Sequence, residues 1–314
     1  MSKHNKVIST KLDQEVFRRM IQLKNKGLSG RQVADALGIG KTTVNDLYKI
    51  YLNLGFDASQ PRILFFDVET APSFVATFNR FQANFTHDHV IQEGGWLISA
   101  AWKFLGDSNV QSSVVTHEEA VRCDDRRVVK NLTDAINQSN IVVAHFSKGF
   151  DMKVLRSRIA LNNLSNHKPV KIVDTKQIAS TCKFNSNKLD SLADYFGVGR
   201  KLDAGGIKSW IECCKGNLYA LYKMQEYNKV DVEVLEQVYL ALRRFDKNPP
   251  NLGLYYNDGF QHCPCCGSSE LEVQGIYKVG TSEYNQVVCN ACSYVSRQAS
   301  KTGKKNILYP AKSN

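Results

Sequence analysis

Asp67 and Glu69 stand two apart in Phe65-Phe66-Asp67-Val68-Glu69-Thr70, directly after the apolar run Ile63 to Phe66. Such a run reads as a buried strand. Side chains at i and i+2 then share one face, so both carboxylates point into the same space. Two anions that close repel each other unless a cation or a proton lies between them. A structural explanation would need Arg62 or a backbone cap as partner, whereas a strand running into Asp-x-Glu more often marks a metal site. Asp151 follows a second apolar run, Ile141 to His145, through a short loop, at a helix start where Asp is also an ordinary N-cap. Tyr227 and Asp231 are four apart on a helix and therefore share a face, with Val230, Val234, Leu235 and Val238 nearby. An Asp on an apolar helix face needs a charge partner. Carboxylates are hard ligands suited to Mg²⁺ or Mn²⁺. A cation bound there could lower the pKa of a water and offset negative charge on substrate oxygens.

A second chemistry lies near the C-terminus. Cys263-x2-Cys266, in Cys-Pro-x-Cys-Gly form, and Cys289-x2-Cys292 pair as two knuckles. Four thiolates make a closed tetrahedral zinc site, structural rather than catalytic, and the pattern is that of a zinc ribbon. Leu271 to Tyr277 and Tyr284 to Val288 have the composition of its β-hairpin, while Cys265 and His262 stand beside the set as alternative ligands. Disulfides are the competing reading for nine cysteines. The first twenty residues are broken by charges and lack the apolar stretch of a secretory signal, so a reducing cytoplasm is expected. No apolar run approaches the ~18 residues of a membrane span, and no membrane partner is expected.

Three segments position these groups. The spacing predicts helices over Lys11 to Lys26, Gly30 to Leu37 and Lys41 to Tyr51. Ser29 is a cap and Gly38-Ile39-Gly40 a turn between the last two. Val16, Met20, Ile21, Leu23, Val44, Leu47, Tyr48 and Tyr51 face inward. Leu28 to Lys49 resembles the helix-turn-helix of transposases, resolvases and many phage regulators. That likeness would place Lys41, Thr42, Thr43, Asn45 and Lys49 in a DNA groove. The competing reading is a packing module with a solvated basic face. From Arg62 to Phe245, strands at Trp96 to Phe104, Val110 to Thr116 and Val170 to Asp174 join the two already noted. One long helix over Glu118 to Asn137, another from Asp151, and a largely helical remainder complete the segment. This is an α/β order, a mixed sheet with flanking helices. Asn248-Pro249-Pro250-Asn251 ends it. The expected domains are 1–56 (small, all-α), 62–246 (α/β) and 257–314 (a small β zinc ribbon with a basic, flexible tail).

The motifs LFFDVETAP, AHFSKGFDMKVLRSR and EYNKVDVEVLEQVY, in this order, resemble the DEDDy 3′→5′ exonucleases, within the ribonuclease H-like superfamily. Their closest likeness is to the PolB-like group, related to the proofreading domains of family B DNA polymerases. VDTKQIAS and NKLDSLADYFGVGRK look like the family's later strand and helix. The resemblance implies that Asp67 bridges two ions, that Glu69 and Asp231 complete the site of the water-activating ion, and that Asp151 serves the other through water. Tyr227 would orient the attacking water. One departure is Phe146, where the family usually carries Asn after the His. His145 reads as a strand-end histidine with satisfied hydrogen bonds, and Asp174 and Asp190 as structural or weakly electrostatic. The implied cofactors are two Mg²⁺ or Mn²⁺ and one Zn²⁺.

A net charge of +11 favours a polyanionic partner. Nucleic acid, DNA ahead of RNA, is the expected substrate, with replication or phage proteins as further partners. The alternatives are a DNA-binding regulator or replication accessory on an inert nuclease fold, and a transposase or resolvase, whose carboxylates are usually spread differently.

Overall fold

Short helices need their terminal N–H groups satisfied, and Ser29 does this for the second of three. The structure is a computed structural model and describes residues 11–25, 27–53, 60–78, 81, 84–199, 205–256, 260–299 and 308–310. The helices are α1 (Lys11–Asn25), α2 (Gly30–Leu37) and α3 (Lys41–Asn53). The Ser29 side chain accepts from the Gln32 amide while the Gln32 side chain accepts from the Ser29 amide, a capping box; Gly38 then ends α2 at φ 65. Phe17, Met20, Ile21, Val33, Ala34 and Val44 form the core, with Leu23, Leu47 and Tyr48 packed against it. Val16 is half-buried, as an inward position would be, and the Tyr51 side chain lies outside the described residues.

The chain divides into two compact units. One is drawn from the stretches before Pro61 and from Asn251 on, and the other spans Pro61–Pro250. The first and last segments, expected as separate modules, therefore cluster together. Within their unit, Phe17 packs on Phe260 with ring centroids 6.0 Å apart, and the Gln22 amide donates to Ser269 Oγ at 2.9 Å.

The Pro61–Pro250 unit is built on β1 (Ile63–Thr70), whose first four side chains are all buried. After it come β2 (Phe74–Val75), β3 (Val90–Gln92), β4 (Leu97–Phe104), β5 (Gln111–Val114), β6 (Ile141–Ala144) and β7 (Lys171–Asp174). The main sheet has the order β5-β4-β1-β6-β7. β4 runs antiparallel to both β1 and β5, while β6 runs parallel to β1 and β7 parallel to β6. The C-terminal ends of β1, β6 and β7 thus share one edge of the sheet, where α/β sheets carry their sites. The helices are α4 (His117–Val121), α5 (Arg126–Asn137), α6 (Asp151–Leu161), α7 (Thr175–Ala179), α8 (Leu189–Phe196), α9 (Ile207–Cys214) and α10 (Leu218–Leu242). The fold is the expected mixed α/β sheet with flanking helices. The small β2–β3 hairpin was not anticipated.

The single helix expected over Glu118 to Asn137 is in fact two. Cys123 takes a left-handed φ of 55 between them. Asp125, fully buried, accepts from the Leu97 amide at 2.8 Å, from Arg158 Nε at 2.7 Å and Nη2 at 2.9 Å, and from Asn162 at 2.7 Å. These bonds tie α6, and with it Asp151, to β4. Asp125→Ala would leave the half-buried Arg158 guanidinium without its carboxylate and the Leu97 amide without its acceptor, and should cost about 2–3 kcal/mol in urea unfolding.

In the other unit, β8 (Leu271–Val279), β9 (Ser282–Cys289), β10 (Val295–Ala299) and β11 (Leu308–Pro310) form an antiparallel sheet. The tail expected to be flexible therefore contributes a strand. Leu308 is buried, which repays ordering that stretch. No helix among the described residues is long and apolar enough to cross a membrane.

Candidate active site

β1 places Asp67 opposite Ala101 and Glu69 opposite Ser99 of β4. α10 packs across β1 and β4 and buries Asn228, Asp231, Val234, Leu235 and Val238 along its inner face. Its start is capped by Asn217, whose side chain accepts from the Tyr219 and Ala220 amides. The outcome is convergence: one carboxylate oxygen each from Asp67, Glu69 and Asp231 lie within 4.8 Å of one another. Asp67 and Glu69 are half-buried and Asp231 is buried. Three like charges at that separation, partly out of water, favour a shared cation. The donor set consists of hard oxygens only, which fits Mg²⁺ or Mn²⁺.

Asp151 does not join this group within 4.8 Å. It is buried at the start of α6, and the amide of Val68, between Asp67 and Glu69, hydrogen-bonds to it. Burial pushes its carboxyl up to about 7, with the charge of Asp174 adding, against the hydrogen bonds from its own amide and that of Val68. Tyr227 is half-buried one turn before Asp231, its ring edge-on to Trp210 of α9 at 6.4 Å.

Asn228 was missed in the sequence. Its side chain is fully buried; Nδ2 donates to Asp67 Oδ2 at 2.7 Å, and Oδ1 accepts from Ser99 Oγ at 2.9 Å. The amide fixes the carboxylate while Ser99 fixes the amide's orientation. Its position three before Asp231 on one helix face was the available signal. Partners that orient ligands typically contribute 10–100-fold in activity or metal affinity. Asn228→Ala should lower cleavage by about that factor and weaken Mn²⁺ binding in a calorimetric titration.

Of the residues read as structural, His145 and Asp174 are held by hydrogen bonds. His145 bonds Thr175 Oγ1 at 2.9 Å and the Asn187 carbonyl at 3.0 Å. Asp174 accepts from the amides of Phe146, Lys148, Lys176 and Gln177, so it holds the β6–α6 loop and caps α7. Asp190 is exposed. Phe146 adopts φ 64, a left-handed conformation that Asn enters more readily. It is exposed, with Lys176 Nζ 3.9 Å above its ring.

The sulfurs of Cys263, Cys266, Cys289 and Cys292 also lie within 4.8 Å of one another. Cys263 and Cys292 are 3.7 Å apart and Cys266 and Cys289 3.6 Å. A tetrahedral ion with ~2.3 Å bonds needs edges of about 3.8 Å, whereas a disulfide needs ~2.05 Å. All nine cysteines are free thiols. Cys265 and His262, the alternative ligands, are buried outside the group; His262 Nδ1 donates to the Gly267 carbonyl at 2.7 Å. Structural zinc contributes on the order of 10 kcal/mol to small modules. Were zinc held by these four sulfurs, chelation should melt the β8–β10 sheet, read as loss of its amide protection, and make four thiols titratable.

Lys41, Thr42, Thr43, Asn45 and Lys49 are all exposed on α3.

A mixed sheet whose central strand ends in clustered carboxylates, closed by a helix that supplies another, defines an RNase H-like α/β domain. Residues 64–243, more than half of the chain, match the RNase_H superfamily, and the chain belongs to it. No curated protein matches it. Among solved structures it is similar to the family B DNA polymerase from the hyperthermophilic archaeon Pyrobaculum calidifontis, at 18% identity and a TM-score of 0.44. The match covers 59% of this chain and 25% of that one. The chain thus spans about a quarter of that polymerase's length.

Proposed function

We propose that the chain is a metal-dependent 3′→5′ exonuclease acting on DNA and releasing 5′-mononucleotides. The observation that carries the reading is the meeting of Asp67, Glu69 and Asp231 within 4.8 Å, on a domain of the RNase_H superfamily. Those three would hold one divalent ion, and Asp67 with Asp151 a second. Bound there, the ions would lower the pKa of a water and offset charge on the phosphodiester oxygens. The remaining work falls to the chain's own groups. Asn228 holds Asp67 in one orientation. Tyr227 orients a water by hydrogen bond. The Tyr-x3-Asp spacing on α10 supports that assignment.

The capped α2–turn–α3 pair and the exposed Lys41, Thr42, Thr43, Asn45 and Lys49 support a helix-turn-helix that binds DNA. The four-sulfur cluster supports a zinc ribbon. Together they would recruit the nuclease to its DNA, a role in keeping with the charge of +11.

Single-stranded DNA, RNA and duplex, each labelled at one end, test the reading. DNA labelled at the 5′ end should shorten one nucleotide at a time, while 3′ label should appear at once as mononucleotide. Faster loss of RNA, or internal cuts, would overturn the substrate or the polarity.

A further inference from the structure

β7 is the edge strand of the main sheet, and a recess of about 200 Å³ lies along it, bounded by α7 and by Asp246 to Asn248. Ile172, Val173 and Ile178 contribute apolar lining. Lys148, Lys171 and Lys247, all exposed, line it as well. Gln177, Thr181 and Asn248 add neutral hydrogen-bonding groups, and Lys148 Nζ already donates to Gln177 Oε1 at 2.9 Å.

Two carboxylates also line the recess, Asp174 and Asp246. Asp174 is committed to four backbone amides. Asp246 accepts from the Asn248 amide at 2.8 Å and lies within reach of the charges of Lys171 and Lys148. Positive charge is left over. The volume is below the ~300–1,000 Å³ of sites that enclose a drug-sized ligand, so the recess suits a small anionic group rather than a whole nucleobase stack. The recess is also not remote from Asp151. Lys148 lies three residues before Asp151 on the same loop, and Asp174 acts electrostatically on Asp151.

We infer that this lysine-lined recess binds a phosphate group of the nucleic-acid strand whose end is engaged at the carboxylate site. The inference rests on the nuclease reading. It adds a contact that holds the strand's backbone and carries no sequence information. The same chemistry would accept the 5′-phosphate of a free mononucleotide, so the test separates the two sources.

Binding is measured on the full chain carrying Asp67→Asn, which prevents cleavage, with Lys171→Gln and Lys247→Gln added. The probes are a short single strand, a 5′-mononucleotide and inorganic phosphate. For the strand, affinity should fall about tenfold and the slope of log K against log salt should drop by about 1, as for lost phosphate contacts. Asp246→Asn keeps the oxygen that accepts from Asn248 and should tighten binding. Lys130→Gln, which removes an exposed i,i+4 pair with Asp134, should change neither quantity. If the double variant fails to fold, Lys247→Gln alone should still lower the slope.

An unchanged affinity and slope for the strand overturns the inference. So does a loss confined to mononucleotide and inorganic phosphate, which would make the recess a product or phosphate site. Because binding is read without hydrolysis, the two failures are distinguishable. A wild-type chain that binds through the recess but never cleaves ends the nuclease reading alone. A chain that cleaves while the lysine variants bind normally ends this one alone.

Discussion

Asp67→Asn should abolish nucleic-acid hydrolysis, a loss well beyond the ~10–100-fold of partners that only orient ligands. The substitution is chosen because its Oδ1 can still accept from Asn228, so no buried donor is left unsatisfied. Removing one of three carboxylates that meet within 4.8 Å also relieves like-charge repulsion. The metal-free variant should therefore melt at or above the wild-type temperature, while Mn²⁺, which should stabilise the wild type, stabilises it less. Loss of activity together with a lower metal-free melting temperature would point to damaged packing instead. The two readouts, taken together, separate chemistry from folding.

The second large effect concerns Asp151. Its carboxyl, pushed up to about 7 by burial first and the Asp174 charge after it, binds a proton more tightly in the folded chain than in the unfolded one, where ~3.9 is ordinary. The folded state thus holds more protons between those values. Stability contributed by the protonated form is full below about pH 4 and falls as pH rises through 7. Above that, the buried charge costs roughly 4 kcal/mol in the metal-free chain. Asp151→Asn should remove this slope and stabilise the metal-free protein at pH 8 by several kcal/mol, while impairing cleavage. Divalent metal should flatten the slope in the wild type as well. Urea unfolding at several pH values, with and without Mn²⁺, reads all of this. A slope of the opposite sign would remove the basis for a buried, cation-dependent Asp151.

What could be read in advance was what local pattern controls. Ile63 to Phe66 is apolar without interruption because β1 lies at the centre of a sheet covered on both faces, and Asp67 and Glu69 follow at a spacing that fixes their shared side. Ser29 and Gly38 mark α2 by their own chemistry. What escaped depends on partners far away in the chain. Cys123 and Asp125 break a helix that periodicity would have continued, because Asp125 is held by Arg158, Asn162 and the Leu97 amide. Asn228 looks like any polar helix residue until α10 is laid on β1 and β4, 161 positions from Asp67. The lysines of the β7 recess come from three separate segments and share no motif. Leu308 was hidden in a polar tail for the same reason: its place on β11 is set by pairing with β10, not by its neighbours.

The most direct test is incubation of a 5′-labelled single strand of DNA with the full chain, in turn without added divalent metal, with Mg²⁺ and with Mn²⁺. The expected result is a ladder shortening by single nucleotides from the 3′ end only when metal is present. A strand that stays bound and full-length under both metals would contradict it, leaving a DNA-binding protein on an inert nuclease fold.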